Sequence, residues 1–236
     1  MKISSNIIIL GAKPIKGMRS VGSISNVPIC GKRSILDLQI QNLKKKFTCD
    51  NIIYVGGYTG DSILEFNHKH PISYINNPKY DTKNNAHSLR LTLPHLYKHD
   101  CTLILFSKIL FNYHIFDKLN KQRTSTIFID NSTKNLYKIG CNINADSGTI
   151  NNLFYGLDDR LCGIYFLRGK EHELLLKMLN DQYNIDNFFI FEIINAIIES
   201  GGSFYPSLVE HKLVNQIDSN NALKKTVTYY AKNFSS

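Results

Sequence analysis

The stretch Ile7-Ile8-Ile9-Leu10-Gly11-Ala12-Lys13-Pro14 decides how the rest of the chain is read. Four consecutive apolar residues bounded by a glycine and a proline predict a strand buried on both faces, and such strands belong to parallel sheets. A loop rich in Gly, Ser and Lys follows from Gly11 to Lys32. The next stretch, Ser34 to Leu43, predicts a helix: Ser34 can cap it, and Ile35, Leu36, Leu38 or Gln39, and Leu43 fall at helical spacing. Asn51 to Val55, closed by Gly56-Gly57, predicts a second strand. Thr59 to Phe66 suits a short helix, and Ile72 to Ile75 a third strand that stops before Asn76-Asn77-Pro78. Asn84 to Leu96 carries Leu89, Leu93 and Leu96 at helical spacing, and Thr102 to Phe106 is a fourth strand. This alternation predicts an α/β fold with a mixed, mainly parallel sheet flanked by helices and right-handed crossovers.

Beyond residue 120 the strands shorten, to Thr126–Ile129, Leu136–Ile139 and Cys162–Leu167. Helices are expected at about 170 to 182 and 187 to 200. In the second, Phe188, Phe189, Phe191, Ile193, Ile194, Ile197 and Ile198 supply a wide apolar face, and Gly201-Gly202 stops it. No linker composition separates the two halves, so residues 1–236 read as one domain whose second half completes the first half's sheet.

The 236 residues are 43% hydrophobic, enough for one sizeable core. No apolar run reaches the roughly 18 residues of a membrane span, and the N-terminal Ile7–Leu10 is too short for a signal-peptide core. A protein made in the cytosol is expected, whether or not it is later incorporated in a particle. The five cysteines are odd in number and scattered, which predicts reduced thiols rather than a disulfide framework or a zinc site. His68 and His70 are read as loop residues rather than metal ligands. The formal charge of +9 draws anionic partners: nucleotides, nucleic acid or an acidic protein surface. Lys44-Lys45-Lys46 reads as a solvated helix end that complements the helix dipole, so nucleic acid is not the expected partner. Asp158-Asp159-Arg160 is read as a loop whose adjacent acids point apart, and Tyr229-Tyr230 as part of a final element packed on the core.

Three stretches in order carry a family likeness. They are Ile9 to Pro14 with Gly31-Lys32-Arg33-Ser34-Ile35-Leu36; Asn51 to Tyr58; and Asn77-Pro78-Lys79-Tyr80-Asp81-Thr82-Lys83-Asn84-Asn85-Ala86-His87-Ser88-Leu89. Together they resemble the nucleotidyltransferases, especially the small phosphocholine cytidylyltransferase-like members, over roughly the first half of the chain. Gly163-Ile164-Tyr165-Phe166 and Gln216 to Leu223 match more loosely. The resemblance implies a Rossmann-like, glycosyltransferase-A-like fold of the nucleotide-diphospho-sugar transferase type. It also implies a nucleotide-binding half over 1–120 and an acceptor-binding half over 121–236.

In that family a phosphate-bearing acceptor attacks the α-phosphorus of a nucleoside triphosphate, so negative charge must be neutralised at both ends of the transfer. A Gly-rich loop and an Arg bind the phosphates, a Lys steadies the transition state, and two Asp residues hold Mg²⁺. Carried over, the resemblance implies nucleotide contacts from Gly11, Ala12, Lys13, Lys16 and Arg19, although Pro14 removes one N–H from the loop. Asn85 and Ser88 resemble the base-recognition side; an Asn before a helix is equally an ordinary cap. Ile24 stands where the family places its catalytic Lys, and Lys108 where it places a metal-binding Asp. Lysine replaces attraction for a dication with repulsion. Asp218 remains as the second metal ligand, and one carboxylate is a poor Mg²⁺ site unless substrate phosphates do most of the binding.

Three readings follow. The first is a nucleotidyltransferase-like protein that binds a nucleoside triphosphate or nucleotide-sugar with an impaired catalytic centre. The second is an active cytidylyl- or sugar-phosphate nucleotidyltransferase, and the third a non-catalytic structural subunit of a larger, even viral, assembly.

Overall fold

The computed structural model describes residues 2–59, 62, 63, 70–119, 123–130, 137–181 and 185–234. Along the first half run β1 (Asn6–Leu10), the short β2 (Pro28–Cys30) and β3 (Arg33–Ser34), α1 (Ile35–Lys46), β4 (Ile52–Gly56), β5 (Ile72–Asn76), α2 (Asn85–Arg90), β6 (Cys101–Phe106) and β7 (Ile109–Phe111). The second half adds β8 (Ser125–Asp130), β9 (Ile139–Ile143), β10 (Ile150–Tyr155), β11 (Arg160–Arg168), α3 (Lys170–Asn180), α4 (Ile190–Glu199), β12 (Phe204–Leu208), β13 (Val214–Gln216) and α5 (Asn220–Phe234).

One sheet holds nine of these strands, in the order β10-β9-β11-β6-β1-β4-β5, with β8 attached to β11 and β12 to β8. β1 sits inside it, parallel to both neighbours, with Ile8 opposite Ile53 of β4 and Ile104 of β6. The parallel run extends to β5. It ends where β11 pairs antiparallel with β6. The result is the mixed, mostly parallel sheet with flanking helices that the strand pattern predicts.

The apolar run of β1 is explained by cover on both faces. Ile7 and Ile9 pack with Leu103, Leu105 and the α1 residues Leu36, Ile40 and Leu43. Ile8 and Leu10 pack on the other side with Leu89 of α2, Leu175 of α3 and Ile194 and Ile197 of α4. Each such side chain, once buried, stabilises the fold by about 1.5–3 kcal/mol. A third, smaller cluster joins Met18, Ile24, Ile35, Leu110 and Ile217, with Leu223, Val227 and Tyr230 of α5 against it. Tyr229-Tyr230 therefore belongs to a helix packed on the core.

Local signals act where they were read. Ser34 Oγ accepts from the Asp37 N–H at 3.1 Å while Asp37 Oδ2 accepts from the Ser34 N–H at 2.9 Å, a capping box at the start of α1. At the end of α4, Gly201 takes φ +85°, and the N–H groups of Gly202 and Gly201 bond back to Ile197 and Ile198.

Elsewhere the structure corrects the reading. The helix expected over 84–96 breaks into α2 and a 3₁₀ helix over Leu93–Lys98, because Pro94 lacks the N–H that a continuing α-helix needs. The strand expected over 136–139 starts at Ile139, after a turn at Tyr137 and Lys138; residue 136 lies outside the described residues. α4 starts at Ile190 rather than 187, leaving Phe188 and Phe189 exposed ahead of it. The helix expected over 170–182 ends at Asn180, where Asp181 turns extended; most of the Thr59–Phe66 segment, residue 182 and His68 lie outside the described residues. Strands β2, β3, β7, β10, β12 and β13 were unforeseen: β3 spans two residues and β2, β7 and β13 three each. β10 is diluted by asparagines, and β12 contains Pro206, which an edge strand tolerates.

All five cysteines are buried and none forms a disulfide. Burial pushes the thiols of Cys141 and Cys162 up to about 12. Arg160 bonds Asp130 at 2.9 Å and His70 sits 3.2 Å from Asp37. Among the described residues no group of three or more His, Cys, Asp or Glu side chains is placed to hold a metal ion, and no helix is long and apolar enough to cross a membrane.

Candidate functional site

A cleft of about 390 Å³ opens beyond the carboxyl ends of β1 and β6, within the size range of small-molecule sites. In open α/β sheets ligands bind at this end of the strands, where loops diverge. The two strand ends are tied together by the Ser107 N–H, which donates to Leu10 O at 3.0 Å. The loop after β1 forms one wall with Ala12, Lys13 and Lys16, α2 a second with Asn85 and Ser88, and Lys108 and Asp218 a third. Ile24 and Phe189 also line it.

Seven of the nine residues singled out in the sequence thus meet at one cleft: Ala12, Lys13, Lys16, Asn85, Ser88, Lys108 and Asp218. Arg19 lines an adjoining cavity of about 420 Å³ that shares Lys13 and Lys16 and is bounded by Tyr80 and Asp81. Gly11 lies beneath the cleft. Its N–H donates to Val55 O at 2.9 Å, continuing the β1 ladder, so that group is not available as a phosphate donor. Its missing side chain leaves room for the Tyr54 ring.

On the α2 wall neither asparagine caps the helix through its side chain. Asn84 Oδ1 accepts from Lys13 Nζ at 3.1 Å, and its amide donates to Asn187 O at 2.5 Å. Asn85 Oδ1 accepts from the Ile190 N–H at 2.8 Å, so Asn85 holds the start of α4, and its NH₂ group is left without an acceptor among the described residues. Ser88 is buried, with its Oγ accepting from Asn77 Nδ2 at 2.9 Å.

The third wall depends on the two-stranded β7–β13 pair, in which Gln216 faces Ile109. The Ile217 N–H then donates to Lys108 O at 2.9 Å and sets Asp218 next to Lys108. A residue with no sequence signal joins them: Lys138, whose ammonium bonds Asp218 Oδ2 at 2.5 Å. Burial pushes the Lys108 ammonium below its ordinary value, the Lys138 charge adds to this and Asp218 opposes it. Burial pushes the Asp218 carboxyl up, but Lys138 and Lys108 outweigh it and hold it below the usual range. The carboxylate at this cleft is therefore already neutralised by one lysine and flanked by another. This set offers a divalent cation one carboxylate, already engaged by an ammonium, where such an ion takes several oxygen ligands. Phe189 was the other residue missed, since its place in an apolar run marked it as helix face; at 39% exposure it borders the cleft instead.

The architecture is that of the nucleotidyltransferase-like class of α/β folds. No protein-family model and no curated protein matches the sequence. Among solved structures, the CTP:phosphocholine cytidylyltransferase of Streptococcus pneumoniae superposes with a TM-score of 0.78 at 18% identity, covering 96% of this chain and 99% of that one. The inositol-1-phosphate CTP transferase of T. maritima gives 0.72 at 14% identity, over 99% of each chain. A nucleoside-diphosphate-sugar pyrophosphorylase of Vibrio cholerae gives 0.74 at 11% identity, over 94% of this chain and 99% of that one. At these identities the likeness establishes the fold.

Proposed function

We propose that this chain is a cytoplasmic pseudoenzyme of the nucleotidyltransferase fold. Its cleft binds a nucleoside triphosphate or nucleotide-sugar, and it does not carry out magnesium-dependent nucleotidyl transfer. The observation that carries the reading is the charge at the third wall: Lys108 lines the cleft beside the single acid Asp218, which Lys138 already engages. A transferring site must bind a dication there, and an uncompensated ammonium repels one. Ile24, which lines the same cleft while packing in the small third cluster, supplies no charge for a pentavalent phosphate.

In this reading residues 1–120 are the nucleotide half. Lys13 and Lys16, with Arg19 beyond them, attract the phosphates; the Asn85 amide and the Ser88 hydroxyl face the base; Ala12 lets the backbone approach closely. Residues 121–236 border the acceptor side with Phe189, while Asp218 faces the phosphates.

Isothermal titration with CTP, UTP, ATP and GTP, with and without Mg²⁺, tests the reading alongside an assay of pyrophosphate release. Binding without Mg²⁺, weakened more than about tenfold in Lys108→Asp, is the expected result. Pyrophosphate release with any phosphorylated acceptor would restore the active enzyme, and absence of binding to all four nucleotides would overturn the nucleotide site.

A further inference from the structure

We infer that Asp218 is an internal competitor for Lys138, so that the cleft takes its nucleotide as the metal-free polyphosphate, whose terminal phosphate displaces the Asp218 carboxylate from the Lys138 ammonium. The inference rests on the nucleotide-binding reading and names the charge state of the ligand and the group that regulates its entry.

The geometry supplies the competitor. Lys138 sits in the turn before β9, held by the Gly156 N–H donating to Lys138 O at 3.0 Å. Asp218 follows β13, held by Ile217 on Lys108 O. Both backbones are fixed while both side chains remain about a third exposed, at 34% and 38%. An ion pair that open to water adds little to stability and exchanges readily. A phosphate offers more acceptor oxygens and more charge than the carboxylate and so wins the ammonium.

The charge count points the same way. Two ammonium groups, Lys108 and Lys138, face one carboxylate, and Lys13 and Lys16 line the cleft without an acidic partner among the described residues. Burial and the neighbouring Lys138 both disfavour the Lys108 charge, a penalty that an incoming anion removes. Mg²⁺ neutralises much of a triphosphate's charge and would itself meet two ammonium groups, so the magnesium complex is the poorer ligand.

The test is calorimetric titration of the four nucleoside triphosphates into the full chain, Asp218→Asn and Lys138→Gln, each in EDTA and in Mg²⁺. In EDTA, Asp218→Asn binds roughly fivefold tighter and Lys138→Gln roughly fivefold weaker than the parent, the scale of a partly exposed ion pair. Mg²⁺ weakens binding to the parent chain. Unchanged or weaker binding by Asp218→Asn, or tighter binding in Mg²⁺, overturns the inference while leaving the nucleotide site standing. If no nucleotide binds any of the three proteins, both readings fall together.

Discussion

A Cβ on Gly11 would lie 2.0 Å from the hydroxyl of Tyr54 and 2.5 Å from its Cζ, so the residue that closes β1 is kept small by a buried tyrosine on the neighbouring strand. Tyr54 has no slack to yield. It is fully buried, its hydroxyl bonds Ser25 at 2.6 Å, and its ring stacks on Tyr74 at 6.4 Å. Gly11→Ala is expected to cost about 1–3 kcal/mol by overpacking, measured by urea denaturation. In Tyr54→Phe the nearest clashing atom is gone, so the double variant should lose at least about 0.5 kcal/mol less than the two single losses summed. Strict additivity would show that Tyr54 is not what excludes a side chain at Gly11.

Asp186 is a hub between α2 and the segment leading to Phe189. Its carboxylate lies 2.8 Å from Arg90 Nη2 and 3.1 Å from His87 Nδ1, with its side chain 17% exposed. Burial pushes the carboxyl up, but His87, Arg90 and Lys83 outweigh burial and hold it below the ordinary 3.8. A depressed folded pKa means that the stabilisation is complete above the unfolded value and is lost as pH falls through the folded one. Asp186→Asn should therefore cost about 1–3 kcal/mol at pH 7, and the gap to the parent should close as pH falls below about 3.8. A gap independent of pH would locate its role in shape rather than charge.

At β10 a side chain covers the edge of the sheet. Asn195 of α4 accepts from the Leu153 N–H at 2.8 Å and donates to Leu153 O at 2.9 Å, filling the place of a strand partner on β10. Beside it Phe154 and Tyr155 are exposed, at 61% and 46%. Asn195→Ala removes both bonds and uncovers a pairing edge flanked by aromatics. A loss of about 1–2 kcal/mol is expected, with self-association that rises with concentration in sedimentation velocity. A variant that stays as monodisperse as the parent would show the edge to be protected by other means.

The sequence by itself determined the elements whose causes are local. The run at Ile7–Leu10 needs cover on both faces and so must lie inside a sheet; Ser34 and Asp37 cap α1 within one turn; Gly201 ends α4 because its own backbone can turn left-handed. The stretches around Gly11 and Asn77–Leu89 pointed to most of the cleft's residues through the family likeness they carry, not through a local cause. Tertiary structure alone decided what those residues do. Asn85 reads in the sequence equally as a base-recognition residue or a helix cap, and only the approach of α4 turns its carbonyl to Ile190, 105 residues away. Gly11 looks like a phosphate loop glycine, and the register with β4 commits its N–H to Val55. Lys138 carries no signal, since a lysine in a turn is ordinary until the fold brings Asp218, 80 residues later, against it. Helix and strand periods are set by neighbours along the chain, whereas the charge balance of a cleft is set by which distant backbones the sheet holds within hydrogen-bonding reach.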